Sequence, residues 1–188
     1  MQPVAIEEIK NIADYELERE SWRPHVLQTK DRRRIRVGDH LTFLFENRDT
    51  VRYQVQEMMR IERIVKPQDI RHELETYNEL IPKANGLAAS LLIEYETPEL
   101  RAVWLHKLLG LENHIWFEVG GSRVKAKFDT RQIATDRISS VQYISFQFAA
   151  QQAAAFSQGA SLLVDHPDYN VSHKLTPEQL KELASDFA

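Results

Sequence analysis

Residues 39–64, DHLTFLFENRDTVRYQVQEMMRIERI, change their apolar period partway along. Over residues 35–45, Val37, Leu41, Phe43 and Phe45 fall in one alternating register, which predicts a single strand with one buried face. After Asn47 the apolar residues recur at helical spacing, and Asp49 is a suitable N-cap for a helix over 50–65. A block that changes from period two to period 3.6 joins a strand directly to a helix, so both element types must share a core. Projecting the helix at about 100° per residue gives an apolar arc of Val51, Val55, Met58, Met59, Ile61 and Val65. Glu62 falls inside that arc, Gln54 lies on its edge, and Arg52, Gln56, Arg60 and Arg63 cover the opposite side. A carboxylate in a core face needs a partner, a proton or a ligand, because an isolated buried charge is too costly to keep.

The remaining pattern mixes helices and strands. A short helix carries Ile6, Ile9 and Ala13. A longer one spans 14–29 with Leu17, Trp22, Val26 and Leu27, and Pro24 is expected to kink or break it. Pro67 opens a helix running to about residue 80, with a stripe of Ile70, Leu74, Tyr77, Leu80 and Ile81. A strand follows from Leu87 to Tyr95. Thr97-Pro98-Glu99 then starts a helix expected to turn Leu100, Val103, Trp104 and Leu108 inward, with Gly110 as its stop. Beyond Gly110 the chain becomes mostly β. Gly120-Gly121 marks a two-residue hairpin, 140–148 and 161–165 read as strands, and 149–158 reads as an Ala-rich helix. Thr176-Pro177-Glu178-Gln179 has capping-box spacing ahead of a last helix that buries Leu180, Leu183, Ala184 and Phe187. The fold class expected is α+β, a largely antiparallel sheet of about six strands packed with helices, the N-terminal half helix-rich and the C-terminal half strand-rich. One compact domain over 1–188 is expected, with 1–110 and 111–188 as its two lobes if it divides at all.

Composition removes several classes of function. The 188 residues contain no cysteine, which rules out disulfides, thiolate zinc sites, cysteine-ligated iron–sulfur clusters and a cysteine nucleophile. A net charge of −4 argues against wholesale nucleic-acid binding. The first ten residues carry acids where a signal peptide has positive and apolar regions, and no apolar run reaches membrane length, so a soluble cytoplasmic protein is expected.

Three groups of residues are candidates for chemistry. The helices over 50–65 and 67–80 are expected to be antiparallel neighbours, which would bring Glu62, Glu73, Asn78 and Gln54 to a polar pocket against the sheet. A carboxylate pair there suits proton transfer, with Arg60, Asn78 or His72 in support; the plainer reading is a structural ion-pair network. His72 points away from the apolar stripe, the other histidines lack ligand spacing, and no metal or other cofactor is expected. The basic run of Lys30, Arg32, Arg33, Arg34 and Arg36 suits an anion, a phosphate or an acidic partner, with nucleic acid as a further alternative, although such a run is more often a solvated face. Asp129, Arg131, Gln132, Asp136 and Arg137 form a charged loop. Asp165 and His166 are adjacent on a strand and so point to opposite faces, which makes Asp165 a poor orienter for His166. No nucleophile elbow, phosphate loop or dinucleotide fingerprint is present.

HLTFLFENRDTVRYQVQEMMRIERI, IRHELETYNELIP, FDTRQIATDRISSVQYISF and VDHPDY together resemble the bacterial domain of unknown function family 3501, over nearly the whole chain. The family has no established activity and no catalytic residues to carry over. The resemblance implies genes placed beside those for rubrerythrin-like proteins and iron–sulfur oxidoreductases, hence an accessory, non-enzymatic role beside such a redox partner. Any redox metal would then belong to that partner, since this chain has neither cysteines nor a di-iron motif.

Overall fold

The alternating apolar residues at 34–46 form a hairpin, not the one continuous strand expected. Gly38 adopts φ +66° and reverses the chain between β1 (Arg34–Val37) and β2 (Leu41–Glu46). A computed structural model describes every residue except Thr130, Gln132 and Ala188, so Gln132 of the charged loop lies outside the described residues.

Strands β1 and β2 begin an antiparallel sheet of five, completed by β3 (Gly86–Ile93), β7 (Val141–Gln147) and the short β6 (Lys127–Phe128), in the order β1-β2-β3-β7-β6. A second antiparallel sheet of four has the order β5-β4-β8-β9, from β4 (Ile115–Val119), β5 (Ser122–Lys125), β8 (Ala160–His166) and β9 (Tyr169–Lys174). The expected class holds: the chain is α+β and largely antiparallel. The strands divide between two sheets, and Asp165-His166-Pro167 leads into the unforeseen β9, which pairs back on β8. The five-stranded sheet draws on both halves of the sequence.

The sheets face each other across an aromatic core. Phe43, Phe45, Leu91 and Phe146 from one meet Phe117, Leu162 and Val164 from the other, and Phe148, Phe156 and Phe187 extend it. The sheets are also joined at both lateral edges. The Tyr169 hydroxyl on β9 donates to the Val37 carbonyl (2.9 Å) and accepts from the His40 amide (3.1 Å). At the other edge the chain passes from β5 to β6 through Ala126, whose amide still bonds Ile115 of the four-stranded sheet.

Helices α1 (Ile12–Arg32), α2 (Arg48–Glu62) and α3 (Pro67–Asn78) cover the outer face of the five-stranded sheet, with Val51, Val55, Met59, Leu74 and Ile81 at their centre. Pro24 stays within α1 and does not end it; the lost backbone bond falls on an exposed turn while Tyr15 and Val26 hold the helix by burial. Helix α2 starts from Asn47, whose side chain accepts from Thr50, two positions before the expected cap. Helix α4 (Pro98–Lys107) buries Leu105 and Leu108 in the core and leaves Leu100 and Val103 exposed, a rotation from the expected face. Helices α5 (Ala150–Ala155) and α6 (Pro177–Ala184) close the C-terminal half, α6 with the expected capping box. Among the described residues no helix is long and apolar enough to cross a membrane.

A side chain at position 38 would run into the Tyr169 ring as well as being strained by the positive φ. Gly38→Ala should therefore cost about 1–3 kcal/mol, read as a lower denaturant midpoint at unchanged slope. A wild-type midpoint would show that the edge closure does not depend on this turn.

Candidate functional site

The outer face of the five-stranded sheet carries a groove whose floor is written in the strand register. Leu44, Ser90 and Tyr143 stand side by side, and next to them Glu46, Ala88, Ser145 and Lys127 form a second row across the sheet. The small residues Ala88, Ser90 and Ser145 leave the depression that Tyr77 of α3 and Leu80 just beyond it overhang. Three adjoining cavities follow. The innermost, about 210 Å³, is lined by Lys30, Glu46, Gln54, Tyr77, Ser90 and Tyr143. A middle one of about 410 Å³ opens past Tyr77 and Tyr143 to Asp129 and Arg131. The outer one, about 550 Å³, includes Lys83, Arg123, Lys125 and Lys127.

Polar groups at the closed end are largely engaged with one another. The buried Glu46 carboxylate accepts from the Thr50 hydroxyl (2.6 Å) and the Ser90 hydroxyl (2.7 Å). Burial pushes the Tyr143 phenol above its usual range, and the Glu46 and Asp129 charges add to this. Tyr77 is raised chiefly by burial and then by Tyr143, while a hydrogen bond with Gln54 acts the other way. Lys30 places its ammonium 5.3 Å from the Tyr53 ring centroid. At the mouth Arg131 pairs with Glu79 (2.7 Å) and Asp129. This arrangement offers an apolar floor, phenols and exposed cations to a ligand; among the described residues no group of three His, Asp or Glu side chains could hold a metal ion.

The carboxylate expected in the core is not there. Glu62 is exposed, as are Ile61 (62%) and Val65 (69%) from the same projected arc. Helix α2 ends at Glu62, and Arg63 takes a left-handed conformation (φ 56°) that carries the chain out of helical projection toward α3. The stripe is buried at Val51, Val55 and Met59, and the last turn of α2 reaches beyond the covered part of the layer. Glu73 is half-buried, and its carboxyl is raised first by burial and then by the nearby Glu62 charge. Asn78 does not join them: its amide clasps both backbone groups of Val4 (2.9 and 3.0 Å). His72 is exposed, and Arg60 turns to α1, pairing with Glu57 (3.4 Å) and Glu16 (3.6 Å). Of the residues expected to converge, only Gln54 lines the groove, and Glu46 is the buried carboxylate. Its place at the end of a fully buried strand run, LTFLFE, gave no periodic signal.

The basic run separates into individual roles. Arg33 is wholly buried, with Nε donating to the Phe45 carbonyl (2.8 Å), Nη2 to the Glu46 carbonyl (3.2 Å), and ion pairs to Glu182 and Asp186. Arg32 pairs with Glu182 (3.1 Å), Arg36 caps the Asp39 carbonyl, and Arg34 is exposed on β1. Lys30 faces the groove. Asp165 orients His114 (3.1 Å) instead of His166, and also accepts from Trp116 and Arg123.

The polar side of α2, opposite its apolar arc, forms the α1 interface. Gln56 is buried and bonds both backbone groups of Lys10, while Glu57 receives the Tyr15 hydroxyl (2.6 Å) and Arg19 (2.7 and 3.0 Å). Polar periodicity alone cannot tell such an interface from a wet face.

These features define an α+β protein of two antiparallel sheets with a groove of mixed charge under a helical layer. Residues 3–187 match the family described as "Protein of unknown function (DUF3501)", and the chain belongs to that family. It is similar to a crystal structure of a novel protein of unknown function from Burkholderia pseudomallei K96243, at 29% identity and a TM-score of 0.93, with all of both chains covered. No curated protein matches it.

Burial raises the Glu57 carboxyl, but the hydrogen bonds from Arg19 and Tyr15 outweigh it and hold the group at about 2, below the ordinary 4.5. A depressed folded value means stability that is present above the ordinary carboxylate range and lost as pH falls toward 2. Glu57→Gln should therefore be less stable than wild type by about 2 kcal/mol at neutral pH, with the gap narrowing below pH 4.5 in urea unfolding. A gap that does not change with pH would contradict this assignment.

Proposed function

We propose that the protein is a non-catalytic accessory protein of an iron–sulfur or rubrerythrin-type redox protein, and that the groove receives an acidic segment of that partner. The observation that carries the reading is the charge of the outer cavity. Lys83, Arg123, Lys125 and Lys127 line it with Glu79 as the one acid among its lining residues, on a chain of net charge −4. Segregated positive charge of this kind steers an acidic surface and fixes its register. Lys83 and Lys127 have no ion-pair partner among the described residues, so an incoming carboxylate meets available cations. The redox character of the partner comes from the gene neighbourhood that the family resemblance implies.

Tagged protein purified from its host under oxidative stress should enrich a redox protein. The double substitution Lys83→Glu and Lys127→Glu should weaken that complex roughly tenfold, about 1.4 kcal/mol. Recovery of no redox protein, or equal recovery with the substituted chain, would count against the proposal.

One observation favours a second reading, an enzyme using the Glu62 and Glu73 carboxylates without the support of Arg60, Asn78 or His72, which the fold places elsewhere. Glu73 is raised partly by Glu62, as one member of a proton-transfer pair would be. Glu62→Gln should lower the Glu73 titration midpoint in a carboxyl NMR titration. An unmoved midpoint removes the pair and this reading with it.

A further inference from the structure

A half-open cavity of about 470 Å³ lies between α1, α2 and the segment before α1, lined by Glu8, Lys10, Glu18, Trp22, His25 and Arg52 among others. Arg52 is its central group. Its guanidinium lies 4.7 Å from the Trp22 ring centroid, and Trp22 is wedged edge-on between Tyr15 and Tyr53 at 5.9 and 5.7 Å. Packing therefore fixes the arginine in place. Its Nε is shut off from solvent and has no acceptor, and no described residue accepts from its other nitrogens.

The two carboxylates of the cavity make their hydrogen bonds to other cations, although the Glu8 charge still acts on Arg52. Glu8 is held bidentately by Arg48, and Glu18 pairs with Lys10. Other polar groups of the cavity are also engaged: the Ser21 hydroxyl donates to the Glu18 carbonyl, Tyr15 to Glu57, and Gln56 to the Lys10 backbone. A guanidinium stacked on an aromatic face keeps its N–H donors in the plane of the fork, where they match two oxygens of one anion. The buried Nε is out of reach of an incoming anion, so the donors open to a ligand are the two terminal nitrogens of the fork.

We propose that this cavity is a binding site for a small oxyanion, a carboxylate or a phosphate, with Arg52 as its bidentate anchor and Trp22 as the platform that holds the anchor in place. The site is separate from the groove and does not depend on the function proposed for it.

Inorganic phosphate and benzoate, titrated separately into the full-length protein, distinguish a tetrahedral from a planar anion, with calorimetry and tryptophan fluorescence as readouts. Saturable binding of at least one probe is expected. Arg52→Gln should weaken it at least tenfold. Arg52→Lys, which keeps the charge and loses the fork, should also weaken it, and it serves as the test if the glutamine variant does not fold. Lys83→Glu, in the groove, should bind as wild type. The proposal is overturned if neither probe saturates, if the folded Arg52 variants bind as wild type, or if Lys83→Glu loses binding to the same extent.

Discussion

The buried guanidinium of Arg33 joins three parts of the chain that are far apart in sequence. It sits at the end of α1, bonds the carbonyls of Phe45 and Glu46 at the end of β2, and pairs with Glu182 and Asp186 beside the C-terminus. Removing one member of such a pair leaves an uncompensated charge in the interior, which is far more costly than an exposed ion pair is stabilising. First helix, β2 and last helix are therefore held in one mutual position. The same contact reaches the groove: the Glu46 carbonyl belongs to Arg33, and the Glu46 carboxylate spans Thr50 and Ser90 on the floor.

Polar groups shape this protein as much as apolar ones, and that explains how much of it was legible from the sequence. Elements with clean signals formed where expected. Pro67 opens α3, Gly120-Gly121 closes the β4–β5 hairpin, and the Thr176 box caps α6. The class followed from their alternation. The first hairpin was hidden because Val37 and Leu41 keep the same parity on both sides of the Gly38 turn, so two strands looked like one.

The candidate site was less legible for a related reason. A helical wheel assumes that a helix continues and that one face of it is covered. Helix α2 breaks both assumptions, ending at Arg63 and packing against α1 through Gln56 and Glu57. Glu62 sits in the last turn of α2, where no element among the described residues covers it, and the polar α1 interface was concealed by the packing against α1. Glu46 and Arg33 gave no signal because each lies in a run, one apolar and one basic, where a single buried polar residue does not alter the period.

The passage of the chain through Ala126 has a mechanical consequence. Residues 122–128 are one continuous extended segment that belongs to the four-stranded sheet at one end and the five-stranded sheet at the other. Arg123, Lys125 and Lys127 occupy alternate positions along it, so the basic wall of the groove spans the junction between the sheets. The two sheets cannot slide past one another without shearing that wall. Load applied to those side chains is carried by covalent backbone into both halves of the aromatic core at once.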